Sequence, residues 1–346
     1  MTPRDLAVPR YDHIFVVFEE NKSYPDVMDP RKAPVLSRLA KTYGNATAFY
    51  AEVHPSEGNY VAFVGGNTFG IHDDDAFYCA PHMRDAHCEK SALPGYVNHT
   101  VRSPHLGDQL ERHGLTWKAY YETIPAPGSR AVTAGDPKIG SYARDWELYA
   151  SKHSGFMNFA SAQRVARQHI VGFDQFHADL ASGSVPSFAL VVPNQCNDMH
   201  GLDPTDYSGE AAARVPADCN HNNTGGLIRR GDAALGSIVE AIERSPVWRS
   251  RANVAIVVTF DEGSKDAPEG CCGIDPKSVA NFGGGHIPTV VVTNHGPRGL
   301  TDNTPYSHYS LLRTIEDAFG IHQYLQHAAD SGGGVQAMSP LFSITH

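Results

Sequence analysis

Several features are missing from this 346-residue chain, and each absence removes a class of function. Lysine and arginine number 28 against 38 acidic residues, a formal net charge of −10, and they form no long basic run. A face that neutralises the phosphates of double-stranded nucleic acid is therefore not expected. No stretch of eighteen apolar residues occurs, so no spanning helix is expected. Met1-Thr2-Pro3-Arg4-Asp5 opens without the apolar segment of a signal peptide. Cysteine occurs six times and never as CxxC, which argues against a zinc knuckle. Internal repeats and low-complexity tracts are also lacking. What remains, with 41% apolar residues, suffices for one large α/β domain.

The cysteines fall as Cys79/Cys88, Cys196/Cys219 and Cys271/Cys272. The first two pairs would close short loops, and an even count in local clusters favours an oxidising compartment. The expectation is a periplasmic or secreted protein whose signal peptide is absent from this sequence. Cys271 and Cys272 bridge each other through a strained peptide, are bonded elsewhere, or are free. Histidine, at nineteen, is abundant. Several of these lie beside Asp, Asn or Gly, which leans towards metal or phosphate chemistry.

Five apolar runs, 13–18, 116–121, 187–192, 254–260 and 287–292, read as strands of a buried sheet. Helical spacing marks 33–43, 106–113, 173–180, 231–244 and 309–319. The helix–Gly–strand rhythm of 106–121 is that of a βαβ unit. The fold class is therefore α/β, with a mostly parallel central sheet and helices on both faces. One domain, 1–346, is expected, with loop-rich insertions around 70–104, 122–160 and 200–226. Within the first insertion, Asp73-Asp74-Asp75 reads as a solvated loop rather than a cation site.

Open α/β sheets keep their ligands beyond the carboxyl ends of their strands. Three such ends are polar here: Glu19-Glu20-Asn21, Asn194 to His200, and Asp261-Glu262. Adjacent carboxylates at a strand end are costly unless a cation neutralises them. Ser56 stands where a helix is expected to open in His54-Pro55-Ser56-Glu57-Gly58-Asn59-Tyr60, and free N–H groups there favour an anion. Alone it reads as a helix cap. With hard oxygen ligands and histidines arriving from three strand ends, it reads as the nucleophile of metal-assisted phosphoryl transfer.

The chain resembles the phosphoesterase family of acid phosphatases and phosphocholine-type phospholipases C, within the alkaline phosphatase superfamily. The matching segments include Phe18-Glu19-Glu20-Asn21-Lys22-Ser23, His54 to Tyr60, Leu106-Gly107-Asp108-Gln109-Leu110 and Trp117-Lys118-Ala119-Tyr120. Further along come Tyr149-Ala150-Ser151-Lys152-His153, Pro193 to His200, Phe260-Asp261-Glu262-Gly263 and Tyr306 to Asp317, all in the family's order. The resemblance implies an alkaline phosphatase-like fold. It implies one divalent metal (Ca, Mg, Mn, Zn or Fe) on Glu20, Asn21, Ser56, Asp261 and Glu262. His200 and His286 would complete a second site if there is one. Ser56 would be the nucleophile, with His153 and His200 catalytic and lining the phosphate pocket. Asn59, Asn194, Asn197 and His286 would contact substrate.

The function these readings imply is a metal-dependent phosphoric ester hydrolase, an acid phosphatase-type phosphomonoesterase acting through a phosphoserine intermediate. Its substrate would be a small phosphate ester or a phospholipid headgroup. The alternatives are a phospholipase C-type phosphodiesterase and, from another class, a non-catalytic phosphate- or metal-binding homologue.

Overall fold

The computed structural model describes residues 7–75, 98–264, 269–273 and 283–344. Its strands are β1 (His13–Glu19), β2 (Gly44–Tyr50), β3 (Trp117–Tyr121), β4 (Thr133–Ala134), β5 (Tyr149–Ala150), β6 (Ile170–Gly172), β7 (Phe188–Val192), β8 (Val254–Phe260), β9 (His286–Thr293), β10 (Leu300–Asp302) and β11 (Tyr306–Ser307). Runs such as VAIVVTF in β8 and FALVV in β7 carry β-branched and aromatic residues without alternation, and every residue of both strands is buried. That pattern places them at the centre of a large sheet, in the order β10-β2-β9-β8-β1-β7-β3-β6, with β11 also on β2. Within it β1, β3, β6, β7 and β8 run parallel, while β9 is antiparallel to both its neighbours.

Two helix groups cover the sheet. The Glu57–Gly65 helix packs on His308–Ala318 and Leu106–Arg112, and the Pro34–Thr42 helix packs on Thr224–Arg244, which also meets Phe173–Ser182. The insertions at 122–160 and 200–226 share a small apolar cluster of Trp146, Leu148, Leu202 and Ala211, tied by the Cys196–Cys219 disulfide. Cys271 and Cys272 are bonded to each other. The Cys79/Cys88 pairing lies outside the described residues.

Four strands of the large sheet escape the apolar-run reading, as do β4 and β5, which pair apart from it. Strand β2 (GNATAFY) alternates buried and half-buried positions, and β6, β10 and β11 have three residues or fewer. The Ala160–His169 helix was not expected, and the helix expected from 231 begins at Thr224, where the Asn223 side chain accepts the Gly226 N–H. The aspartate run is also corrected. Asp73 pairs with His99, Asp74 with Lys152, and the Asp75 N–H donates to the Asp73 carboxylate, so the turn is bound to the body rather than solvated.

Candidate active site

Strands β1 and β8 pair with Glu19 opposite Phe260, so their carboxyl ends release Glu20 and Asp261 side by side. The Asp261 N–H donates to the Glu19 carbonyl (3.1 Å) and the Glu20 N–H to the Asp198 carbonyl (2.7 Å), which stitches the ends of β1, β7 and β8 together. Asn21 adopts a left-handed φ of 58°, a conformation asparagine tolerates better than most residues. Its N–H donates to Asp261 Oδ1 (2.9 Å), and its side-chain amide lies 3.4 Å from Glu20 Oε2. Lys22, buried just beyond, donates to the Asn21 and Met199 carbonyls.

Ser56 precedes the Glu57–Gly65 helix, yet its hydroxyl makes no cap bond. Ser56 Oγ instead lies 3.3 Å from both Glu20 Oε2 and Glu262 Oε1. The Glu57 N–H, which opens the helix, is taken by Asp74 Oδ1 (3.1 Å). Tyr60, one helical turn on, donates to Glu20 Oε1, and His54 Nδ1 lies 2.5 Å from Glu262 Oε2. His153 is buried with its ring stacked on Tyr60 and Nδ1 3.5 Å from Glu20 and 3.7 Å from Asp198. His200 lies against His153 with ring centroids 5.4 Å apart, and its Nδ1–H donates to the Gly201 carbonyl (2.7 Å).

Four carboxylates thus share one buried crevice. Burial, then mutual repulsion, holds Glu20 well above the usual carboxylate range; burial raises Asp198 and Asp261, and lifts Glu262 to about 7 against the pull of His54. Burial also keeps His153 well below its ordinary value and takes His200 down to about 3, with Lys152 adding to both. Asp261 Oδ2, Asp198 Oδ2 and His153 Nε2 are buried without a hydrogen-bond partner among the described residues. Orphaned acceptors among crowded carboxylates suit a hard cation with oxygen ligands. The residues therefore fit a divalent metal. Two overlapping donor groups are present, both using Glu20: one with Ser56, Asp261 and Glu262, the other with His153 and Asp198.

The expected nucleophile and metal residues thus come together, with His153 and His200 on their flank. Four other expected contacts are committed elsewhere. Asn59 accepts the Glu52 and Val53 N–H groups and donates to the Val53 carbonyl, which leaves it shaping the chain before Ser56. Asn194 bonds Thr123 and the Cys196 N–H, and Asn197 bonds Glu122 and Arg230, so both buttress the loop after β7. His286 points to the Thr47 carbonyl and stacks on Tyr24. Conversely, Asp198, Tyr60 and Lys152 were not singled out from the sequence. Asp198 lies within the polar stretch after β7, the one signal that would have flagged it.

A family model described as "Phosphoesterase family" matches residues 26–322. The chain belongs to that family. Among its phosphoesterase relatives is the phosphatidylinositol-3-phosphatase of Mycobacterium tuberculosis, 29% identical over 91% of this chain and 79% of that protein. A probable acid phosphatase of Kluyveromyces lactis is 26% identical over 94% of this chain, which spans 62% of the yeast protein. A solved protein of the alkaline phosphatase superfamily from Vibrio parahaemolyticus superposes with a TM-score of 0.52 at 13% identity, covering 91% of this chain and 68% of its own. That likeness concerns the fold, which is the α/β fold of this superfamily. The chain is accordingly a phosphoesterase, a hydrolytic enzyme.

Proposed function

We propose that this phosphoesterase is a metal-dependent phosphomonoesterase with Ser56 as its nucleophile. The observation that carries the reading is the Ser56 hydroxyl turned away from its own helix and onto Glu20 and Glu262. A divalent ion held by Glu20, Asn21, Ser56, Asp261 and Glu262 would lower the pKa of the serine hydroxyl and offset the carboxylate repulsion. Ser56 Oγ attacks phosphorus in line, and its proton passes to an adjacent carboxylate. The phosphorus–oxygen bond to the alcohol breaks as the bond to serine forms. N–H groups at the start of the Glu57–Gly65 helix face charge on the equatorial oxygens. The proton that the carboxylate took from Ser56 passes on to the leaving alkoxide, and His200, neutral with Nδ1–H fixed on Gly201, accepts through Nε2 the proton of the water that hydrolyses the phosphoserine.

Ser56→Ala should lower turnover of p-nitrophenyl phosphate by about a thousandfold or more, with metal content unchanged by elemental analysis. Undiminished turnover would end the assignment. The same assay beside p-nitrophenylphosphorylcholine tests the monoester preference. The relative named a phosphatidylinositol-3-phosphatase makes a phosphorylated inositol headgroup a further substrate to try.

A further inference from the structure

One anion already sits where the pocket would receive a phosphate. Asp74 Oδ1 accepts the N–H of Glu57, the residue after the nucleophile, and Asp74 Oδ2 accepts from Lys152 Nζ at 2.9 Å. A helix N-terminal N–H and an ammonium group are the donors a phosphate oxygen takes. Both Asp74 and Lys152 are only about a quarter exposed, at 27% and 25% of their side chains. Lys152 adjoins His153, and its charge acts on Glu20, Asp261, His153 and His200; that of Asp74 acts on Glu262 and His200. The pair therefore sits at the start of the helix that Ser56 precedes, and the buried His153 Nε2, without a hydrogen-bond partner among the described residues, belongs to the neighbouring crevice.

The turn that brings Asp74 here is built for close approach. A Cβ on Gly58 would lie 2.7 Å from the Ile71 carbonyl oxygen, so glycine lets the turn press onto the start of the helix. Asp73 anchors the turn on His99, whose other ring nitrogen meets Glu57. A cavity of about 80 Å³, lined by Asp74, Asp75, Ser151 and Lys152 among others, adjoins the pair and gives the carboxylate room to swing aside.

We propose that Asp74 is an internal stand-in for the substrate phosphate. Its carboxylate holds the Glu57 N–H and Lys152 until a phosphate displaces it; Lys152 then becomes a phosphate-binding residue, and the returning carboxylate helps expel inorganic phosphate. The inference rests on the phosphoesterase reading of this site. A competing internal ligand weakens apparent affinity by the fraction of time it occupies the cradle.

The test is calorimetric titration of the metal-loaded, full-length protein with inorganic phosphate, which needs no turnover, together with KM for p-nitrophenyl phosphate. Asp74→Asn and Asp74→Ala should bind phosphate roughly tenfold more tightly, with KM falling in parallel, and Lys152→Ala roughly tenfold more weakly. Two aspartate variants guard against one misfolding, checked by their melting curves. Phosphate affinity unchanged or weakened in the folded aspartate variants overturns the proposal, as does unchanged affinity in Lys152→Ala. A protein that hydrolyses no phosphate ester while these affinities shift as stated would remove the proposed function and leave the displaced-carboxylate site standing.

Discussion

Around the Ser56 hydroxyl, Glu20, Asp261 and Glu262 present carboxylates that, among the described residues, no neighbouring ammonium group neutralises fully. Lys22 lies close, but its own charge is disfavoured by burial and only partly restored by Asp198, Asp261 and Glu20. The proposed cation would offset their repulsion, and its loss should follow the carboxylates. Asp261→Asn, nearly isosteric, should weaken metal binding by more than about tenfold. Asp198→Asn keeps its bond to the His200 N–H through Oδ1 and should leave one ion per chain. Elemental analysis of both purified variants reads this directly, and full occupancy in Asp261→Asn would contradict the ligand assignment. Glu20, Asp261 and Glu262 were legible in the sequence because each follows an unbroken apolar strand. Asp198 and the four committed side chains were not. The loop after β7 is irregular, so no period says which of Asn194, Asn197 and Asp198 turns inward.

The carboxyl end of β8 is held by a second element, the His308–Ala318 helix. His308 is fully buried, with Nε2–H donating to the Phe260 carbonyl (2.8 Å) and Nδ1 2.5 Å from Glu52 Oε2. Burial works against charge on His308, but Glu52 holds its pKa above the ordinary value. The pair thus fixes the backbone immediately before Asp261. His308→Leu leaves Glu52 buried without its partner, a change that costs about 3–5 kcal/mol. Urea denaturation should show that loss, and the double variant with Glu52→Leu should recover part of it. A loss below about 1 kcal/mol in the single variant would show that the pair does not brace the strand. At this scale the long apolar strands declared themselves, since continuous Val, Ile and Phe fit little else of that length. Strand β2 and the short edge strands did not, because their pairing depends on neighbours far along the chain.

Across the whole molecule, pH dependence of stability offers a check on packing remote from the carboxylate crevice around Ser56. Glu316 projects from the His308–Ala318 helix into the core, accepting the Leu325 N–H (2.9 Å) through Oε1, while Oε2 is buried without a hydrogen-bond partner among the described residues. Burial is the main cause that lifts its pKa from 4.5 to about 8; Gln109 from the Leu106–Arg112 helix and Arg313 pull it down, and Asp317 pushes it up. Between these two values the unfolded chain has released a proton that the native state still holds. The stabilising contribution of protonated Glu316 is therefore complete below about pH 4.5 and is lost as pH rises towards 8. Glu316→Gln retains an oxygen for Leu325 and cannot ionise. Relative to the parent protein it should gain stability steadily from pH 4.5 to 8, by a few kcal/mol at most. Urea midpoints of both proteins across that range isolate this one group from every other titration in a chain carrying a net charge of −10. A difference that stays flat with pH would mean that the core admits water at this position, and that the sheet's helical cover is looser there than its packing implies.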